Sequence, residues 1–155
     1  MSVRAIRLDQ LKVHVYSKDP DKGTEEEARW YIRPMPTRVV AHLRDSGTQY
    51  DSQVSTSKEG LEGEEGQSLN LASSFRVLAN KVVIDTVRFG LAKVEKFFDG
   101  AGNEIGFEPV KQRVGGVEYL AVPDKILDSI PLEVMRELCE EINKLGEVTE
   151  EERKN

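Results

Sequence analysis

Two short segments near the N-terminus alternate apolar with polar side chains. In residues 11–17 the apolar positions are Leu11, Val13 and Val15, and the polar positions between them are Lys12, His14 and Tyr16. In residues 28–33 the large side chains of Trp30 and Ile32 share one face. A period of two residues is typical of a strand that buries one face. We therefore predict a β-hairpin whose first strand turns its leucine and valines toward the core.

The segment after this hairpin has helical spacing. Residues 37–45 follow Pro36 and precede Gly47, an order typical of a helix start and a helix end. Their apolar side chains recur at intervals of three and four residues, which predicts a short helix with Val39, Val40 and Leu43 facing inward.

Two longer segments in the second half are also predicted to be helical. Residues 71–98 carry an apolar stripe, and we predict a helix there with a break near Gly90. The β-branched run 82–84 leaves a strand open as an alternative for part of it. Residues 124–146 predict a second helix, with Pro131 near its start and Gly146 as a left-handed residue at its end.

The last predicted helix carries a seam of four apolar side chains, Met135, Leu138, Ile142 and Leu145. Methionine and leucine on an amphipathic helix suit binding in the groove of a partner protein. The same spacing suits a helix that packs on its own core. We favour the core and keep partner binding as the alternative.

The remaining segments complete the predicted domain organisation. Residues 49–67 hold three glycines, four glutamates and only scattered apolar groups, which predicts a mobile loop. The fold class is α+β: an N-terminal β-hairpin, three to four helices and this long loop. One domain is expected over residues 1–146, followed by an acidic C-terminal tail at 147–155.

The charge distribution argues against several classes of function. The net charge is −6, and residues 59–155 hold twelve Lys/Arg against twenty Asp/Glu. Since nucleic-acid binding depends on clustered basic residues, we expect none. No run of apolar residues is long enough to span a membrane. One cysteine and two histidines exclude an internal disulfide and a structural zinc site, so we expect a cytoplasmic protein without a metal or cofactor.

The acidic, glycine-rich stretch DGAGNEI at residues 99–105 resembles a metal or phosphate loop only superficially. With Asp99 as its first position, a calcium loop needs an oxygen ligand at position three and glycine at position six. This chain has Ala101 and Glu104 at those positions. Neither phosphate-binding glycine pattern is present. Asp-Gly and Gly-Asn pairs favour tight turns, so we predict a turn that leads into a short strand at 104–108.

No set of side chains in the sequence predicts catalysis. Adjacent glutamates at 25–27, 64–65 and 140–141 lie in polar surroundings and are interpreted as solvated surface. Cys139 has no neighbouring base in the sequence and is interpreted as a packing thiol. The enzymatic alternative is a site formed by His14, His42 and distant carboxylates, and we expect no catalytic residue.

The order of motifs resembles small virion-morphogenesis proteins of tailed bacteriophages, often regarded as tail assembly chaperones. The resemblance is carried by WYIRPM at 30–35, VRFGLAKVEKFFDGAGNEIGFE at 87–108, LDSIPLEVMRELCEEI at 127–142 and TEEERKN at 149–155. It does not include residues 1–20 or the segment 49–67.

The resemblance implies a non-enzymatic function in the host cytoplasm. Such a protein binds the tape-measure protein, tail-tube subunits or other virion proteins during assembly, and self-association is also possible for it. A permanent minor component of the tail, neck or capsid in the virion is the alternative.

Overall fold

The described part of the chain runs from strands to helices, back to strands and then to helices. The structure is a computed structural model that describes residues 3–45 and 80–147. Within them the elements are β1 (Lys12–His14), β2 (Arg29–Ile32), α1 (37–45), α2 (80–90), β3 (Leu91–Glu95), β4 (Val110–Val114), β5 (Val117–Ala121), α3 (Asp124–Leu127) and α4 (Leu132–Leu145). The predicted α+β class, with an N-terminal hairpin and three to four helices, is confirmed. The predicted loop 49–67 and tail residues 148–155 lie outside the described ranges.

The first sheet has three antiparallel strands in the order β1-β2-β3. The register pairs His14 with Trp30 between the first two strands, and Trp30 with Val94 between the second and third. A bulge in β3 then lets Ile32 pair with Leu91, three residues from Val94. Because the bulge absorbs the extra residue, both apolar pairs stay on the buried face of the sheet.

Helix α4 covers the sheet and forms the centre of the core. Trp30 and Ile32 of β2 are buried with the apolar face of this helix, as the alternation in residues 28–33 predicted. The other elements add further buried side chains: Val39 and Leu43 from α1, Val87 and Phe89 from α2, Leu91 and Val94 from β3, and Leu127 and Ile130 from the α3 region. The inward face predicted for α1 is confirmed by its buried valine and leucine.

A second hairpin, β4-β5, was missed by the sequence analysis. Val114 pairs with Val117, and the two residues between them are Gly115 and Gly116 with φ values of 56° and 77°. Two positive φ values in a two-residue loop are the geometry of a tight hairpin turn, which glycine adopts without strain. The Gly-Gly pair between two valines was the signal that could have predicted this hairpin.

Two predicted helices differ from their expected extents. Residues 80–90 are helical, and the chain then becomes strand β3, so the helical prediction for 91–98 is wrong beyond the predicted break at Gly90. Residues 71–79 lie outside the described ranges. The predicted helix 124–146 is divided into α3 and α4, because Pro131 stands immediately before α4 and cannot donate the backbone hydrogen bond that continuity requires. Gly146 has φ −95°, which corrects the predicted left-handed conformation.

The stretch 99–105 is a turn, as predicted. One carboxylate oxygen of Asp99 accepts the backbone N–H groups of Ala101 and Asn103, each at 2.9 Å, and Gly102 has φ 84°. These hydrogen bonds lower the pKa of Asp99, with the bond from Asn103 the largest cause. The predicted strand 104–108 is wrong, since only an isolated bridge between Phe98 and Glu104 forms there.

The junction between α2 and β3 requires a residue without a side chain. A Cβ atom added at Gly90 would lie 2.6 Å from Cγ2 and 2.7 Å from Cδ1 of Ile142 in α4. We predict that Gly90→Ala lowers the free energy of unfolding by about 1 to 3 kcal/mol, measured by urea denaturation. Gly100→Ala is the control, because nothing lies within 4 Å of its added Cβ.

The same clash predicts a coupling between the two positions. Ile142→Ala removes the atoms that the new methyl group of Gly90→Ala would meet, so the double variant should be more stable than the sum of the two single losses implies. Additive losses would contradict the packing described at this junction.

Candidate functional site

Lys12 and His14 of β1, and Tyr16 two residues after it, contact α4, whereas Val13 of β1 and the preceding Leu11 are exposed. Leu11 is 58% exposed and Val13 47% exposed, whereas His14 is half-buried. The predicted strand 11–17 is shortened to Lys12–His14, and the predicted inward face is wrong for Leu11 and Val13, while Val15 is half-buried. In place of Leu11 and Val13, polar side chains contact α4.

These contacts form a series that we call the β1 ladder. It consists of Lys12 Nζ with Glu141 Oε2 at 3.2 Å, His14 Nε2 with Glu137 Oε2 at 2.7 Å, and Tyr16 Oη with Glu133 Oε2 at 3.5 Å. The strand contributes every second residue, and the helix contributes every fourth. One polar face of the strand is therefore matched by one acidic face of the helix.

The β1 ladder is possible because the two repeats have nearly equal lengths. Four residues of an α-helix advance about 6 Å along its axis, and two residues of a strand advance about 6.6 Å. The partners consequently stay opposite each other at all three contacts, the last of which uses Tyr16, two residues beyond the end of β1. A shift of the strand by one residue would turn Leu11 and Val13 toward the glutamates, so the ladder also fixes the register.

Glu137 is the central acceptor of the ladder. Its carboxylate accepts the backbone N–H of Ser17 at 2.9 Å and the Ser17 hydroxyl, in addition to its contact with His14. Burial raises the pKa of Glu137, but the hydrogen bonds from Ser17 and His14 outweigh burial and bring the pKa below its ordinary value. The pKa of Glu141 is also lowered, chiefly by hydrogen bonding from Lys144 and then from Lys12.

The ladder leaves an exposed apolar surface on an edge strand. β1 stands at the edge of its sheet, and we call the side chains of Leu11 and Val13 the β1 outer face. Edge strands in proteins are commonly blunted by charged side chains that keep other chains from pairing with them. Here Lys12 is directed to Glu141, and the apolar side chains point outward. The β1 outer face is thus available to another polypeptide.

The four seam residues lie in the core. Met135, Leu138 and Ile142 are fully buried and Leu145 is partly buried. This burial favours the core alternative for the seam.

The other candidate side chains are distributed over separate regions. Cys139 is buried, and burial raises its pKa, which agrees with a packing thiol. His14 belongs to the β1 ladder, whereas His42 lies on α1 beside Gly115. Glu27 accepts the backbone N–H of Gly23. Glu64 and Glu65 lie outside the described ranges.

The ladder residues were present in the sequence as a recognisable pattern. Glu133, Glu137 and Glu141 are spaced by four residues, while the polar residues of β1 are spaced by two. Two polar stripes whose repeats have equal physical length were the signal for this contact. The polar side of residues 11–17 was predicted to face water and Glu141 was interpreted as solvated surface, while the fourfold spacing of the three glutamates was not recognised.

Comparisons with known proteins do not assign the chain to a family. No protein-family model, no curated protein and no solved structure matches it. Among residues 3–45 and 80–147, no group of three or more His, Cys, Asp or Glu side chains is placed to hold a metal ion. None of the helices described there is long and apolar enough to cross a membrane.

The lowered pKa of Glu137 predicts a stability contribution that depends on pH. A carboxyl whose folded pKa lies below its ordinary value of 4.5 stabilises the fold fully above that pH, and the contribution is lost as the pH falls through the folded pKa. We predict that Glu137→Gln lowers the free energy of unfolding by about 1 kcal/mol at neutral pH, the low end for bonds to a charged group since the side chain is partly exposed.

The difference between Glu137→Gln and the unsubstituted chain should shrink as the pH falls below 4.5, measured by urea denaturation at each pH. Glu140→Gln, on an exposed position of the same helix, is the control and should change little. A difference that is constant from neutral to acidic pH would contradict this role of the carboxylate.

Proposed function

We propose that this protein is a non-enzymatic virion assembly factor of a tailed bacteriophage, which binds tape-measure, tail-tube or other virion structural proteins during morphogenesis. The observation that carries the binding role is the β1 outer face, an exposed apolar surface on an edge strand. The phage assignment is supported by the order of motifs in the sequence, from WYIRPM at 30–35 to TEEERKN at 149–155. The host cytoplasm is the proposed compartment.

The proposed contact follows from the geometry of β1. An extended segment of a partner can add to the free edge of a sheet through backbone hydrogen bonds, while side-chain contacts provide specificity. Leu11 and Val13 would supply the apolar part of that contact. The β1 ladder holds the opposite face of the strand on α4, so the surface is formed before the partner arrives and little ordering is needed on binding.

A permanent place in the particle is the alternative within the same functional class. The same exposed surface would serve a minor tail, neck or capsid-associated component. Mass spectrometry of purified particles distinguishes the two, since an assembly factor should be absent from them and a component should be present in a defined copy number.

The binding role predicts the effect of a charge on the β1 outer face. The tagged chain should be co-expressed with the tape-measure and tail-tube proteins of the same genome and recovered by affinity capture. We expect Val13→Glu to reduce the captured partner at least about tenfold, equivalent to about 1.4 kcal/mol, because an unpaired charge would be placed in an apolar contact.

Leu120→Glu is the matched control, since Leu120 is also exposed but lies on the β4-β5 hairpin. Both variants should melt at the temperature of the unsubstituted chain, because neither side chain belongs to the core. Failure of the unsubstituted chain to associate with any virion structural protein would refute the proposed function.

A further inference from the structure

A second surface lies beside the N-terminal end of α4, in a cleft of about 380 Å³ that we call the Trp30 cleft. It is formed by the loop after β1, by Trp30 of β2, by residues 96–98 after β3, and by Pro131 and Val134 at the start of α4. One wall of the cleft is aromatic and another is acidic. Neither wall contributes to the β1 outer face.

The aromatic wall is formed by Trp30, Phe97 and Phe98. Trp30 is only 2% exposed, and its indole Nε1 has no hydrogen-bond partner in the described part of the chain. Its ring lies 5.0 Å from that of Phe97, and the neighbouring Phe98 is 46% exposed. The rings of this wall, Phe98 most of all, therefore offer a surface on which an apolar side chain can pack.

The acidic wall favours a cationic ligand. Asp19, Asp21 and Glu26 line the cleft, against one basic side chain, Lys96. The Asp19 carboxylate is occupied by two backbone N–H groups, of Asp21 and Ala28. The carboxylates of Asp21 and Glu26 form no ion pair within the described ranges. A guanidinium group can pair with carboxylates and also stack on aromatic rings, so an arginine beside apolar residues fits both walls.

The chain itself carries a segment with this chemistry. Residues 3–10, which we call the N-terminal arm, form no helix or strand. Leu8 is 51% exposed, Val3 is also exposed, and the exposed Arg7 has only a 3.9 Å contact with Asp9. This apolar and basic arm is the complement of an aromatic and acidic cleft.

The arm lies far from the cleft of its own chain. Lys12, two residues after the arm, pairs with Glu141, and Ile6 lines a depression with Ile142 and Gly146 at the C-terminal end of α4. The Trp30 cleft lies at the N-terminal end of this helix. The fifteen residue steps from Pro131 to Gly146 correspond to about 22 Å of helix. None of the arm residues lines the Trp30 cleft of its own chain, so an arm held in this position can enter only the cleft of a second molecule.

We infer that the Trp30 cleft receives the N-terminal arm of a second copy of this chain, with Arg7 at the acidic wall and Leu8 against the aromatic wall. The contact is head-to-tail, since each copy offers one arm and one cleft, and it can therefore extend beyond two copies. The inference does not rest on the proposed function, because it uses a different surface.

The experiment measures mass by sedimentation velocity over a range of concentrations. The arm variant is Arg7→Glu with Leu8→Asp, and the cleft variant is Asp21→Lys with Glu26→Lys. All four positions are exposed, so thermal melts should show both variants folded. We expect the unsubstituted chain to gain mass with concentration, and each variant alone to associate at least about tenfold more weakly.

The decisive sample is an equimolar mixture of the two variants. The arm variant retains an intact cleft and the cleft variant retains an intact arm, so the mixture should form a dimer and no larger species. Trp30 is the only tryptophan, so the emission of the mixture should differ from the sum of its two components. Val13→Glu, the variant that tests partner capture, should self-associate like the unsubstituted chain, which separates the two proposals.

Three results would overturn the inference. The unsubstituted chain could stay monomeric at every concentration. Either variant alone could associate as strongly as the unsubstituted chain. The mixture could remain monomeric although the unsubstituted chain associates, which would place the contact elsewhere.

Discussion

The structure depends on a match between two polar repeats, one on β1 and one on α4. Glu133, Glu137 and Glu141 advance along the helix by nearly the same distance as the polar residues of β1 advance along the strand. This match holds the edge strand on the helix, fixes its register and decides which face it shows to solvent. The exposed surface of β1 is a consequence of the match, because a strand that gives its polar face to a helix must turn its apolar face outward.

Periodicity in the sequence predicted the elements whose buried face is set by the spacing of their own apolar residues. The α+β class, helix α1 and the buried face of β2 follow from local spacing, and each contains apolar side chains that only the core can accommodate. Which face of β1 turns toward the core could not be predicted in this way, since it depends on a helix more than one hundred residues later in the sequence. The break at Gly90 could be predicted from the glycine itself, but the strand that follows it pairs with β2 about sixty residues earlier and could not.

The candidate site was harder to predict than the fold for the same reason. The seam on α4 has the composition of a binding helix, but the sheet already covers it. The surfaces left open, the β1 outer face and the Trp30 cleft, arise from contacts between distant segments. They lie on different parts of the molecule and differ in chemistry, one being apolar and the other aromatic and acidic. Two such surfaces suit a protein that acts by contacting other chains.

The orientation of β1 is the claim on which this account rests, and nuclear Overhauser effects in solution test it most directly. The account predicts cross-peaks between the ring protons of His14 and the side-chain protons of Glu137, and none between the methyl groups of Val13 and α4. Cross-peaks from the Val13 methyl groups to α4, with none from the His14 ring, would show the strand in the opposite orientation and contradict the account.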